Sequence, residues 1–200
     1  ISFIEENPLL RKNIEGIIGE DYDILLKNFV IAVPKQWIPS WLQDFTKKSI
    51  APNLGPYIKK EYRDISYFTG IDFHMDLMDY PNMVGENIIL YIYLNGVSTE
   101  MSPLNVIEKS HSLGATKFPH HLRNHSNGTI EYSADGKDFE KFNKRVLIGD
   151  AGSTFLWSSF TLHGTTPPVC NDARVSLKYD IKVNQKNKNK NVPIRIFLKK

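Results

Sequence analysis

Residues 71–81 read IDFHMDLMDYP and carry a histidine and an aspartate two positions apart, His74 and Asp76. The alternation of apolar and polar residues predicts a strand over 72–78. Side chains two apart on a strand leave the same face, so this imidazole and this carboxylate can bind one ion between them. Residues 160–168 read FTLHGTTPP and place His163 where an apolar strand meets a turn. If the chain folds back so that His163 lies beside the strand at 72–78, His163 completes a set of two imidazoles and one carboxylate.

A set of two histidines and one carboxylate on one side of an ion suits non-haem Fe(II), because it leaves the remaining coordination positions open. Residues 174–181, RVSLKYDI, begin eleven residues after His163. Their alternation places Arg174, Ser176 and Lys178 on one face of a strand. A guanidinium aimed into a pocket requires an anion, and its paired N–H groups match a carboxylate. A dicarboxylate held there would keep its other end free to chelate iron.

The remaining pattern predicts a mainly β protein with flanking α-helices. Helices are expected at 8–19 and 37–48, and a first strand at 25–33. Runs rich in Ile, Val, Tyr, Phe and Thr then predict an antiparallel sandwich or barrel, with strands at 62–69, 72–78, 87–97, 104–108, 145–157 and 174–183. The polar segment 111–142 is expected to be an insert or lid over the open end of the barrel.

Composition indicates one globular domain over 1–183. The chain has 200 residues, 41% hydrophobic and 24% charged, and a single cysteine, Cys170, which excludes an internal disulfide framework and favours the cytoplasm. Seven of the 25 basic residues and none of the 22 acidic ones follow residue 181. The net charge of +3 therefore comes from the C-terminal end of the chain, where a basic tail at 184–200 is expected to be a solvated segment rather than a nucleic-acid-binding arm. No apolar run approaches the roughly 20 residues of a membrane span.

The order His74-x-Asp76, His163 and Arg174-x-Ser176 resembles the Fe(II)/2-oxoglutarate-dependent oxygenases, specifically the phytanoyl-CoA dioxygenase-like family. SPLNVIEKSHSLG at 102–114 and GDAGSTFLWSSFTLHGTT at 149–166 resemble further stretches of that family. The likeness covers about residues 60–183. Two departures are Met101-Ser102, where the family usually has Asn-Gly, and Glu108-Lys109, where it has Pro-Gly. The family normally carries a helix and a strand before the point that corresponds to residue 1, so we expect leading elements to be missing.

The resemblance implies a double-stranded β-helix, also called a jelly-roll or cupin-like fold. It implies that His74, Asp76 and His163 bind Fe(II), and that Arg174 pairs with the distal carboxylate of 2-oxoglutarate. Further cosubstrate contacts are expected at Thr165, Ser176 and Tyr91. The implied reaction consumes O2, decarboxylates 2-oxoglutarate to succinate and carbon dioxide, and hydroxylates a small molecule.

Two alternatives remain open from the sequence. A nucleic-acid demethylase of the same superfamily would use the basic tail, but those enzymes carry a further arginine six residues after the cosubstrate arginine, and Asp180 stands there. A cupin-like module would hold metal without turnover. His111 is expected to support its loop through hydrogen bonds rather than to bind iron. His120, His121 and His125 are expected to lie in a solvated loop, with a second metal site or a contact to a substrate anion as the lesser readings. The substrate and the oligomeric state stay undetermined.

Overall fold

The computed structural model describes residues 2–46, 53–76, 87–114 and 120–184. Three α-helices lie in these ranges, α1 (Ser2–Glu5), α2 (Pro8–Ile18) and α3 (Ser40–Thr46). The strands are β1 (Tyr22–Ala32), β2 (Ser66–Phe68), β3 (Ile71–His74), β4 (Ile88–Tyr93), β5 (Leu104–Ile107), β6 (His121–Asn124), β7 (Thr129–Ser133), β8 (Glu140–Leu147), β9 (Thr154–Ser158), β10 (His163–Thr165) and β11 (Arg174–Val183).

The strands form two sheets, one of five strands in the order β2-β1-β11-β4-β9 and one of six in the order β3-β10-β5-β8-β7-β6. The chain alternates between the sheets in two stretches: β3 and β5 lie in the six-stranded sheet with β4 in the other, and β9, β10 and β11 alternate again. The strand pairs are antiparallel except for β1 with β2. This curled antiparallel arrangement confirms the predicted jelly-roll, mainly β with flanking helices.

Helix α2 covers the outer face of the five-stranded sheet. The Asn7 side chain accepts hydrogen bonds from the backbone N–H groups of Leu9 and Leu10, which caps the helix start. Gly19, at φ +85°, ends it. The buried face of α2 packs on outward-facing side chains of β4 and β11, namely Leu90, Ile92, Leu177, Tyr179 and Ile181. The alternate residues of β4 and β11 therefore face the interior between the sheets.

The predicted strand 145–157 is wrong as a single element, because it contains the end of β8 and most of β9, which belong to different sheets. The intervening GDAG sequence turns the chain, with Gly152 at φ +89°. A left-handed backbone of this kind favours glycine, so the turn could have been recognised from the sequence.

The segment 111–142, expected as a lid, contains β6, β7 and the start of β8, which extend the six-stranded sheet. Its apolar residues Ile130, Tyr132 and Phe142 are buried in one cluster with Ile107 and Leu162. The segment is therefore part of the folded core over its described residues. Its strands escaped prediction because most side chains between the buried ones are polar and exposed.

Three further predicted segments lie only partly within the described residues. The strand predicted at 72–78 ends at His74, and residues 77–86 lie outside the described part of the chain. The helix predicted at 37–48 spans Ser40–Thr46, with 47 and 48 likewise outside. From residue 185 onward, the predicted basic tail lies outside the described part of the chain. No helix among the described residues is long and apolar enough to cross a membrane.

Candidate metal centre and anion site

The register of β10 on β3 brings the two predicted histidine ligands together. His163 pairs directly with His74 across the two antiparallel strands, and their ring centroids are 4.4 Å apart. Asp76 lies just beyond the end of β3 and is 2% exposed. The ligand atoms of His74, Asp76 and His163 all lie within 4.8 Å of one another. Asp76 is therefore on the same side as His74 although it is not on the strand.

Both imidazoles use Nδ1 for a backbone contact, which leaves Nε2 as the ligand atom for this cluster. His74 Nδ1 lies 2.8 Å from the Asp72 carbonyl oxygen, and His163 Nδ1 lies 2.9 Å from the Thr161 carbonyl oxygen. A carbonyl can only accept, so each Nδ1 carries a hydrogen and Nε2 is the nitrogen left to bind a metal. Burial lowers the pKa of His163 to about 4, which keeps that ring neutral near pH 7.

Asp76 is ionised in the same cluster. Burial raises the pKa of its carboxyl group, but the Lys178 ammonium and the imidazoles of His163 and His74 outweigh burial and hold the pKa well below its usual range. The ammonium of Lys178 binds Oδ1, and the Trp157 indole N–H lies 3.4 Å from Oδ2. Oδ2 is also 3.4 Å from His163 Nε2. Two lone-pair atoms at this separation repel each other unless a cation lies between them, so the donor set fits a divalent metal.

A second polar site lies at the start of β11. Arg174 is 2% exposed and donates from Nη1 to the carbonyl oxygen of Ser102. Its Nε and the hydroxyl oxygens of Ser102 and Ser176 are buried with no hydrogen-bond partner among the described residues. No carboxylate in the described part of the chain forms an ion pair with Arg174. Buried unmatched donors beside a buried cation fit an anion such as a carboxylate.

A wall of aromatic rings connects the two sites. The Arg174 guanidinium carbon lies 5.7 Å from the centroid of the Tyr91 ring. Tyr91 in turn packs at 5.5 Å from Trp157, and Trp157 lies 5.4 Å from His163. Tyr91 is 3% exposed and faces the interior. The predicted metal ligands and the predicted anion-binding arginine thus line one continuous interior surface.

The Thr165 side chain already contacts the backbone of a neighbouring strand. Its hydroxyl oxygen accepts a hydrogen bond from the backbone N–H of Ile71 at 3.2 Å, across the β3–β10 pair. The hydroxyl hydrogen remains available to a ligand, because an oxygen that accepts can also donate. The contacts of Thr165, Ser176 and Tyr91 with a cosubstrate stay predictions.

Four residues at the site were not assigned to it from the sequence. The sequence pattern gives Lys178 a face of the strand but no function, and it assigns no role to Trp157. Ser102 is buried at φ +59°, a backbone conformation that favours glycine. His120 was assigned to a solvated loop, yet burial and then the charge of nearby His74 lower its pKa to about 4. His121 and His125 are exposed as expected, and His111 is exposed as well.

The fold is shared with solved non-haem oxygenase-like enzymes. The chain superposes on the non-haem monooxygenase ThoJ with a TM-score of 0.58 at 13% identity, covering 91% of this chain and 54% of that one. It superposes on the epimerase SnoN, in complex with Fe3+, α-ketoglutarate and nogalamycin RO, with a TM-score of 0.55 at 11% identity over 90% and 57%. The carbocyclase SnoK from nogalamycin biosynthesis gives a TM-score of 0.52 at 14% identity over 88% and 59%.

The chain therefore spans little more than half of the length of each of these enzymes. No protein-family model matches it, and no curated protein does. At these identities the likeness shows the fold. The three enzymes are a monooxygenase, an epimerase and a carbocyclase, so one fold carries different reactions and the reaction has to be argued from the site.

Proposed function

We propose that this chain is an oxygenase of the phytanoyl-CoA dioxygenase-like family that uses Fe(II) and 2-oxoglutarate to hydroxylate a small molecule. The observation that carries the proposal is the pairing of the His74–Asp76–His163 cluster with a buried arginine that lacks a carboxylate partner among the described residues. A metal cluster alone would suit many metalloproteins. A dicarboxylate that chelates the metal at one end requires both sites on one surface.

The metal would be held by Nε2 of His74, Nε2 of His163 and an oxygen of Asp76. Each histidine is fixed in the required tautomer by a backbone carbonyl, so the protein orients the ligands before the metal arrives. Neutral imidazoles and an ionised carboxylate are the forms that bind a divalent ion. Carboxylate and imidazole donors without any thiolate suit Fe(II).

The distal carboxylate of 2-oxoglutarate would be held by Arg174. Its Nε–H and the hydroxyl groups of Ser176 and Ser102 are the buried donors that a carboxylate can satisfy. Tyr91 and Trp157 form the apolar wall along which the carbon chain would lie. This wall also excludes water from the space between the two sites, which strengthens the ionic contacts at both ends.

Bound Fe(II) would supply the oxidative chemistry, in which 2-oxoglutarate, O2 and R–H give succinate, carbon dioxide and R–OH. Of the two oxygen atoms, one enters succinate and the other enters the product. The protein's part is to bind, orient and enclose the reactants.

Anaerobic titration tests the proposal. Fe(II) with 2-oxoglutarate should give a weak visible charge-transfer band in the native protein, and Asp76→Ala should abolish it. Incubation in air should then convert 2-oxoglutarate to succinate, measured by mass spectrometry, even without the true substrate. Failure to bind Fe(II) or 2-oxoglutarate rejects the proposal. Binding of both without any succinate points to the non-catalytic metal-binding module.

A further inference from the structure

Lys178 places a positive charge inside the protein, directly against the candidate metal ligand Asp76. Its side chain is 12% exposed and that of Asp76 is 2% exposed, and its ammonium binds Oδ1 of the carboxylate. Burying an ammonium costs free energy, and an apolar side chain of similar length would fill the same space on β11 without that cost. The ion pair therefore calls for an explanation beyond packing.

The two oxygens of Asp76 have different surroundings. Oδ2 lies 3.4 Å from His163 Nε2 and faces the metal cluster, whereas Oδ1 is engaged by Lys178. We propose that Lys178 is a positioning residue that holds Asp76 as a one-oxygen metal ligand, with Oδ2 on the metal and Oδ1 on the ammonium. This proposal rests on the proposed function, because it assigns a role to Lys178 only if the cluster binds metal.

The number of carboxylate oxygens on the metal decides how many positions stay open. In an octahedral ion, two imidazoles and one carboxylate oxygen leave three positions, and a carboxylate that bound through both oxygens would leave two. Chelation of 2-oxoglutarate requires two positions and oxygen chemistry requires a third. By engaging Oδ1, Lys178 would keep that third position available. A charge-assisted hydrogen bond is suited to this task because it is strong and directional.

The test compares three variants loaded with Co(II) under anaerobic conditions. Lys178→Met removes the ammonium, Lys178→Arg keeps a cationic donor, and Lys182→Met is the matched control, since Lys182 is exposed four residues further along the same strand. We expect Lys178→Met to change the visible Co(II) spectrum and to weaken 2-oxoglutarate binding at least about tenfold, the size typical of lost contacts to a metal ligand. Lys178→Arg and Lys182→Met should match the native protein in both measurements.

The outcomes separate this proposal from the proposed function. A native protein that binds no Co(II) overturns both. A native protein that binds Co(II) and 2-oxoglutarate, with a Lys178→Met variant indistinguishable from it, overturns only the role of Lys178. If Lys178→Met does not fold, a crystal structure of the native protein with Mn(II) decides. One Asp76 oxygen on the metal with Lys178 on the other supports the proposal, and both oxygens on the metal overturn it.

Discussion

Replacing Arg174 by methionine should abolish tight binding of 2-oxoglutarate while leaving the fold and the metal site intact. Methionine fills a similar volume but carries no charge and no N–H donors. Arg174 lies at the opposite end of the aromatic wall from the metal cluster, and Tyr91 and Trp157 stand between them. Removing the guanidinium should therefore leave Mn(II) affinity unchanged.

The expected loss of 2-oxoglutarate affinity follows from the contacts of Arg174. A carboxylate buried against methionine loses its charged partner, which costs about 3–5 kcal/mol. Because each 1.4 kcal/mol is a factor of ten, the dissociation constant should rise roughly 10²- to 4 × 10³-fold. Stability should change by less than about 1 kcal/mol, since the lost bond to the Ser102 carbonyl is offset by no longer burying a cation without a carboxylate partner.

Thermal unfolding with Mn(II) present, with and without 2-oxoglutarate, measures both effects. A ligand at 100 times its dissociation constant stabilises the native protein by about 2.7 kcal/mol, and this increment should vanish in Arg174→Met. Arg145→Met is the control, because Arg145 is an exposed arginine whose partner is Glu108 at the surface. Native-like 2-oxoglutarate binding in Arg174→Met would refute the reasoning. A loss of 3 kcal/mol or more of stability without ligand would instead identify Arg174 as part of a structural ion pair.

Three other predictions concern residues around the two sites. Ser102→Gly relieves the backbone strain of a non-glycine residue at φ +59°, so the free energy of unfolding measured in urea titrations should rise by about 1 kcal/mol. The affinity for 2-oxoglutarate should fall several-fold because a hydroxyl donor is lost. An unchanged affinity would exclude the Ser102 hydroxyl from the anion site. Trp157→Phe removes the indole N–H near Asp76 and should weaken Co(II) binding about tenfold by titration, with native affinity as the contrary result. Gly164→Ala puts a Cβ 2.8 Å from the Ile71 carbonyl oxygen, so it should force β10 away from β3, cost about 1–3 kcal/mol of stability and weaken metal binding. Gly96→Ala is the control, because a Cβ at that position meets nothing within 4 Å. Equal Co(II) affinities for the two alanine variants would show that the spacing of β3 and β10 does not control the site.

Sequence reasoning succeeded where a single segment carried the information. The alternation in RVSLKYDI correctly placed Arg174, Ser176 and Lys178 on one face, because side-chain direction in a strand depends only on position. Helix α2 was also predicted, since its cap, its apolar spacing and its terminal glycine are all local. Local reasoning did not predict the strands within 111–142, whose few apolar residues become a core only when β7 and β8 pair.

The sequence by itself determined which chemical groups are present, their order along the chain and the face of β11 on which they lie. Only the tertiary structure decided that His163 lies opposite His74, that Lys178 binds Oδ1 of Asp76, and that Arg174 lacks a carboxylate partner among the described residues. These facts depend on strand register between distant segments, and a shift by one residue would turn each side chain to the other face of its sheet. Register is determined by the packing of both sheets together, which no single segment encodes.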